Sequence, residues 1–315
     1  MKLRTIWALM VLLAGLLVLG GCASETENFV CGVIGLEEQA SVEPAARDAV
    51  DACHPWNGCD LRAARLEVLY VETLPGIPVD GTDRRVSRVI LYGRLTSLEL
   101  TRADTSTGFA AIDPVTAPVV LTLEQEESGE CRVLEYWEAE AGPDDEAEIR
   151  ERFPREIQDQ AGRFCTAEAY TLAAERACLD EAVRLWDLDA GGMADRLLDS
   201  LMEAYPEGMD PMEFLSAHRE TWRELQVLGL HTVCSVFSRF LAGDSQKTAW
   251  TVLAAVGSEM TMMIDDYIDE GPIYKESWFE SFLRDARFYL KRDGKEELQD
   301  CHPCMWLALE MAGEA

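Results

Sequence analysis

The chain has 315 residues, of which 48% are hydrophobic and 27% are charged, so it can bury sizeable cores and is unlike a disordered tail. Its formal net charge of −30 at pH 7 argues against binding to nucleic acid and against broad docking on anionic lipid headgroups. We therefore expect a folded acidic protein that does not bind nucleic acid.

The N-terminus has the pattern of an export signal. Two basic residues precede an apolar run over residues 6–19, which is typical of a secretory signal peptide. The Leu-Gly-Gly-Cys segment at 19–22 resembles the lipobox of bacterial lipoproteins. The resemblance implies that residues 1–21 are removed and that Cys22 is acylated. Because two or more acyl chains hold a protein stably on a bilayer, we expect a lipid anchor.

An uncleaved membrane helix and a soluble secreted form are the alternatives to this anchor. Residues 5–21 make 17 positions, fewer than the ~20 apolar residues of a spanning helix. Glu25 and Glu27 follow instead of the basic residues that stop transfer. We expect the extracytoplasmic face of the cell membrane, or the outer membrane in a Gram-negative source. Without the two basic residues of the signal, the mature chain carries a net charge of −32.

Ten cysteines are many for a reduced compartment and are common in exported proteins. With Cys22 acylated, nine remain, so at least one has no disulfide partner within the chain. Cys234 lies on an apolar helical stripe and is predicted to be a buried free thiol. Cys53 and Cys59 flank a short Pro-Asn-Gly turn and form a candidate disulfide.

The segment Cys301-His302-Pro303-Cys304 has the spacing of a redox motif. A first cysteine at a helix start has a lowered pKa, which thiol oxidoreductases use. However, the polar lead-in at 295–300 differs from the buried strand that precedes such motifs. We therefore predict a structural disulfide of Cys301 and Cys304, with each other or with distant cysteines. Thiol–disulfide exchange through this pair is the alternative function.

Other patterns predict no catalytic residues, no metal and no cofactor. A zinc site built from loops 53–59 and 301–304 would require the two loops to meet, which their unequal spacing does not indicate. The acidic segment 265–269 resembles a motif of isoprenoid-diphosphate enzymes but lacks a second acidic motif and basic residues. It is predicted to be a solvated helix end, with a weak calcium contact as the alternative.

The hydrophobic pattern predicts an α+β fold, in which a small antiparallel sheet packs with an N-terminal helix and an all-α domain follows. The predicted helix covers residues 36–52, and the strands are centred on 66–71, 86–100, 118–123 and 131–137. The predicted divisions are a signal peptide (1–21), a lipidated tether (22–35), the α+β sheet domain (36–142) and the helical domain (143–315).

Three features organise the predicted helical domain. Asp210 and Pro211 form a helix start. Apolar spacing predicts one helix over residues 222–242, ended by Gly243, and a further stripe over 250–264.

Part of the chain resembles extracytoplasmic regions of Gram-positive proteins, including membrane metallopeptidases of the beta-lactam-sensor type. The matching residues are Val120-Leu121-Thr122, Gly129, Glu135-Tyr136-Trp137-Glu138, Ile149 and Phe153-Pro154. The resemblance extends over residues 66–265, but Ala139-Glu140-Ala141-Gly142 replaces the usual proline and charged residues. The chain has no His-Glu-x-x-His motif, so peptidase chemistry is not implied.

These patterns together predict a lipoprotein that is a non-enzymatic binding, sensory or interaction module. Its expected partner is the lipid bilayer, through acylated Cys22, and another envelope protein is a further candidate. The sequence does not identify the ligand.

Overall fold

The computed structural model describes residues 27–36, 41–56, 59–79, 85–102, 109–139, 145–166, 168–206, 208–243 and 278–314. The predicted signal peptide, Cys22, the stripe at 250–264 and the acidic segment at 265–269 lie outside the described residues.

In the described part of the chain, five strands form one sheet in the order in which they occur. They are β1 (Glu27–Ile34), β2 (Leu61–Pro78), β3 (Arg85–Arg102), β4 (Phe109–Gln125) and β5 (Cys131–Glu138). Strands β2 to β5 form an antiparallel meander, and β1 joins β2 in parallel. The predicted α+β class is confirmed. Residues 27–34 of the predicted tether form β1, since that segment is rich in β-favouring apolar residues despite its glycine.

One face of the sheet is covered by helix α1 (Glu43–Cys53). Pro44 lies in the first turn of α1, which explains why the helix begins later than residue 36. Buried Ala46, Ala49 and Val50 of this helix pack on alternate residues of the central strands. We call this side of the sheet the α1 face.

The opposite face is covered by helices that follow the sheet. The helices after β5 are α2 (Asp145–Arg152), α3 (Arg155–Thr166), α4 (Glu168–Trp186), α5 (Ala190–Ala204), α6 (Pro211–Ala217), α7 (Arg219–Leu228), α8 (Leu230–Leu241), α9 (Trp278–Asp293), α10 (Lys295–Cys301) and α11 (Pro303–Met311). Helices α2 and α3 pack on the half of this face around Tyr92, and α4 packs on the half around Leu98. We call this side the α4 face.

The remaining helices build a separate apolar core. Asp210 caps α6 as predicted, because its carboxylate accepts hydrogen bonds from the N–H groups of Met212 and Glu213. The predicted single helix over 222–242 is wrong, since Gly229 has φ +53° and separates α7 from α8. Among the described helices, none has both the length and the apolar character needed to cross a membrane.

Candidate functional site

The loop after α1 meets β5 at a buried polar cluster. His54 Nδ1 lies 2.8 Å from Glu138 Oε2, and the Tyr136 hydroxyl donates to the same oxygen at 2.5 Å. Because a carboxylate only accepts hydrogen bonds, His54 Nδ1 is the donor in this pair. Tyr136 and Glu138 are two residues apart on one strand, so both point to the α1 face. We call these three residues the His54 cluster.

Burial dominates the electrostatics of the His54 cluster. The side chains of His54 and Glu138 are 5% and 13% exposed. Burial, followed by the negative charge of Glu138, raises the pKa of Tyr136 far above its ordinary value, so the phenol stays protonated. The two donors satisfy the buried carboxylate and fix the end of α1 against β5. The arrangement therefore joins α1 to β5.

Trp56 also holds the start of this loop in place. Trp56 contacts the His54 ring edge-on at a centroid distance of 4.5 Å, and its Nε1 donates to the carbonyl of Asp51 at 3.3 Å. The Arg62 guanidinium lies 5.8 Å from the centre of the Trp56 ring. The loop is thus tied to both α1 and β2.

The predicted disulfide partners in this loop lie at its two ends. Cys53 is the exposed last residue of α1, and Cys59 is half-buried just before β2. Thr101 Oγ1 lies 4.0 Å from Cys59 Sγ. Burial and a hydrogen bond with Glu99 raise the pKa of the Cys59 thiol. The pairing of Cys53 with Cys59 stays a prediction.

The Glu-Tyr-Trp-Glu block also contacts the helices on the α4 face. Trp137 packs against Phe153 with ring centroids 6.2 Å apart, and Arg152 lies 4.8 Å from the Trp137 ring centre. Arg152 also pairs with Glu135 at 3.3 Å. This block, predicted as a local signature, therefore lies between α1 on one side and α2 and α3 on the other.

The two cysteines of the Cys301-His302-Pro303-Cys304 segment lie in different helices. Cys301 is the exposed last residue of α10, and Cys304 is buried in the first turn of α11. The predicted structural disulfide of these cysteines stays a prediction. The Cys301 thiol donates to Glu297 Oε1 at 3.2 Å. This bond, together with the charges of Asp300 and Asp293, raises the pKa of Cys301. Such a thiol has little thiolate at neutral pH.

Two further predictions concern single sites. Cys234 lies on α8 as predicted but is half-buried, and burial raises the pKa of its thiol. Within the described residues, no group of three or more His, Cys, Asp and Glu side chains could hold a metal. The described parts of loops 53–59 and 301–304 form no such group.

One buried contact and one strand pairing are not evident from the sequence. Glu138 belongs to a local signature, but its contact with His54 spans 84 positions, so no local pattern could reveal it. Strand β1 has β-favouring residues, but no local pattern shows that it pairs in parallel with β2. No family model, curated protein or solved structure matches this chain.

Proposed function

We propose that this chain is a lipid-anchored extracytoplasmic protein that binds a partner without catalysing a reaction. The observation that carries the proposal is the Leu-Gly-Gly-Cys segment at 19–22, which ends five positions before β1 begins at Glu27. Four residues between Cys22 and β1 span at most about 18 Å, measured between the flanking Cα atoms. An acylated Cys22 would therefore hold the sheet close to the bilayer.

The chemistry of the described residues supports a binding role over catalysis. The His54 cluster is largely buried and hydrogen-bonded within itself. The pKa values of the Cys59 and Cys301 thiols are raised, which is the opposite of what nucleophilic catalysis requires. Thiol–disulfide exchange through Cys301 and Cys304 stays an alternative, which the contacts of Cys301 with described residues do not favour.

The anchor is tested by labelling the protein with a palmitate analogue in the cells that produce it. We expect Cys22→Ser to abolish acyl labelling and to release the folded body from membranes. Cys31→Ser is the matched control, since it changes the next cysteine along the chain and should leave labelling intact. Persistent labelling of the Cys22→Ser form at the membrane would refute the anchor.

A further inference from the structure

Helix α9 has an apolar inner side and a basic outer side. On the inner side, Phe282 and Ala286 are buried in the core of the helical region. Side chains three, four and seven positions apart lie on one side of a helix. The exposed side chains of the outer side, together with the first residue of α10, are Arg284, Arg287, Phe288, Lys291, Arg292 and Lys295. We call these six residues the basic face.

The basic face reverses the charge of the chain locally. Residues 284–295 contain five basic and two acidic side chains, whereas the whole chain contains 28 basic and 58 acidic ones. The acidic residues Glu280 and Glu296 lie just outside this segment. The excess of positive charge is therefore confined to about three helical turns.

The three arginines of the basic face each pair with a carboxylate, and the two lysines do not. The arginine pairs are Arg284–Asp285, Arg287–Glu314 and Arg292–Asp293. In the part of the chain that the structure describes, no carboxylate pairs with Lys291 or Lys295. The Lys295 ammonium lies 4.5 Å from the centre of the Trp306 ring. Both lysines therefore keep charged donors for an anion outside the chain.

An aromatic ring lies in the middle of the basic face. Phe288 is 58% exposed, more than any other large hydrophobic side chain among the described residues. The Arg292 guanidinium lies 5.6 Å from the centre of this ring and 4.5 Å from that of Tyr289. Aromatic rings beside long basic side chains suit a membrane interface, because the rings enter the apolar boundary while the charges stay among the headgroups. Such a cluster is typical of contact with anionic lipid.

Charge and position favour a bilayer over an acidic protein as the occupant of the basic face. The proposed acyl anchor places lipid phosphates beside every copy of the chain. A bilayer also accepts an aromatic side chain without a preformed pocket, which a protein partner would need. The net charge of −30 opposes adsorption of the whole surface. However, charges more than a Debye length of about 8 Å from the headgroups are largely screened, so a local contact remains favourable.

We propose that the basic face binds anionic phospholipid headgroups of the bilayer that holds the anchor. Phe288 inserts among the headgroups, and Lys291 and Lys295 pair with lipid phosphates. This inference rests on the proposed anchor and adds the orientation of the tethered body. The anchor makes this second contact intramolecular, so even weak affinity turns α9 toward the membrane.

The test compares two kinds of nanodisc that carry the protein purified from the cells that produce it. One contains phosphatidylcholine alone, and the other contains equal parts of phosphatidylcholine and phosphatidylglycerol. Hydrogen–deuterium exchange is followed by mass spectrometry. We expect exchange in residues 284–298 to be about fivefold slower in the anionic nanodiscs, because contact suppresses local opening. This difference should disappear at about 1 M salt, where the Debye length is only about 3 Å.

Variants assign the effect to the basic face. Lys291→Glu combined with Lys295→Glu should abolish the slowing. Arg132→Glu with Arg184→Glu is the matched control: it changes the net charge equally at side chains that are 70% and 72% exposed on β5 and α4, and it should preserve the slowing. Phe288→Ser should reduce the slowing to about twofold, because the inserted apolar area is lost. Far-ultraviolet circular dichroism verifies the fold of each variant.

Three results would overturn the proposal. Equal exchange in the two kinds of nanodisc at low salt excludes contact with anionic lipid. Equal loss of slowing in both double variants attributes the effect to net charge rather than to this face. Slowing that appears without lipid and grows with protein concentration identifies the acidic surface of a second copy as the occupant.

Failure of the anchor is measured separately from failure of the basic face. Size-exclusion chromatography shows whether the chain enters nanodiscs, and a chain that stays outside them lacks the anchor. The same exchange comparison with vesicles of the two compositions then tests the basic face on its own. A chain that enters nanodiscs but exchanges equally in both kinds retains the anchor and refutes the lipid contact of α9.

Discussion

Glu138 ties the end of helix α1 to strand β5. Its Oε2 accepts hydrogen bonds from Tyr136 and His54, and His54 is the residue directly after α1. A hydrogen bond to a charged group contributes about 1.5–3 kcal/mol, more than a neutral one. The carboxylate also needs both donors, because a buried charge without partners is strongly destabilising.

We predict that Tyr136→Phe lowers the free energy of unfolding by about 1–3 kcal/mol, because Glu138 loses a donor while remaining buried. Urea denaturation measures the change. Tyr70→Phe is the matched control: Tyr70 is 42% exposed, and its variant should stay within about 0.5 kcal/mol of the parent. Equal effects of the two substitutions would show that the Tyr136 hydroxyl is not important for stability.

The same tyrosine gives the stability a defined pH dependence. The pKa of Tyr136 is raised in the folded chain, chiefly by burial and then by Glu138, so the folded state keeps this proton to higher pH than the unfolded state. The resulting stabilisation is complete below about pH 10 and is lost as the pH rises above that value, by up to about 1.4 kcal/mol per pH unit. Tyr136→Phe should flatten this decline. Burial raises the pKa of Tyr92 in the same direction, so a smaller slope should remain.

At the residue scale, the sequence identifies the participants of the cluster but not their contact. Cys53-His54 and Glu135-Tyr136-Trp137-Glu138 stand out only as separate motifs. Their meeting depends on which side of the sheet α1 covers, and on the register that places Tyr136 opposite Leu121. Neither the side that α1 covers nor this register can be read from a short window of sequence.

At the element scale, the centre of the sheet depends on Gly93. This residue lies in β3 opposite the irregular pairing of β2 between Val68 and Tyr70. A Cβ at Gly93 would lie 2.5 Å from the carbonyl oxygen of Glu67 and 3.2 Å from Leu66 Cδ1. Backbone cannot yield as a flexible side chain does, so the two strands would have to separate locally.

We predict that Gly93→Ala destabilises the fold by about 1–3 kcal/mol, as overpacking in a core does. Gly162→Ala is the comparison variant, for which we expect no loss of stability. Gly162 lies inside α3, and a Cβ added there would meet no heavy atom within 4 Å beyond its own helical surroundings. Alanine there should be neutral or stabilise by up to about 1 kcal/mol. Thermal unfolding of both variants is the measurement, and a stabilised Gly93→Ala chain would contradict the close approach.

Elements with strong local patterns are predictable from the sequence, and those defined by one glycine or by an edge are not. The four antiparallel strands each lie near their predicted centres, because period-two apolar alternation continues over many residues. The structure extends β2 by hydrogen bonding beyond the apolar run, to Pro78. The glycine at position 229 is a weak signal for the break, because apolar spacing continues across it from Leu225 to Val233.

At the scale of the whole molecule, one apolar core joins the sheet to the helices. It contains Leu61, Leu98 and Leu100 of the sheet together with Leu179 of α4 and Met193 of α5. This core draws on residues from both sides of the predicted division between 142 and 143. A second core, which includes Leu309, lies within the helices alone. The two cores therefore differ in which elements they couple.

We predict that Leu98→Ala and Leu309→Ala lower the free energy of unfolding by similar amounts but speed hydrogen exchange in different elements. Both side chains are fully buried, and each truncation should cost about 2–5 kcal/mol. Hydrogen exchange followed by mass spectrometry should show faster exchange in both β3 and α4 for Leu98→Ala, because the shared core opens as one unit. Leu309→Ala should accelerate exchange in α8, α9 and α11 and leave the strands unchanged. If Leu98→Ala affected the strands alone, sheet and helices would be independent folding units despite their contact.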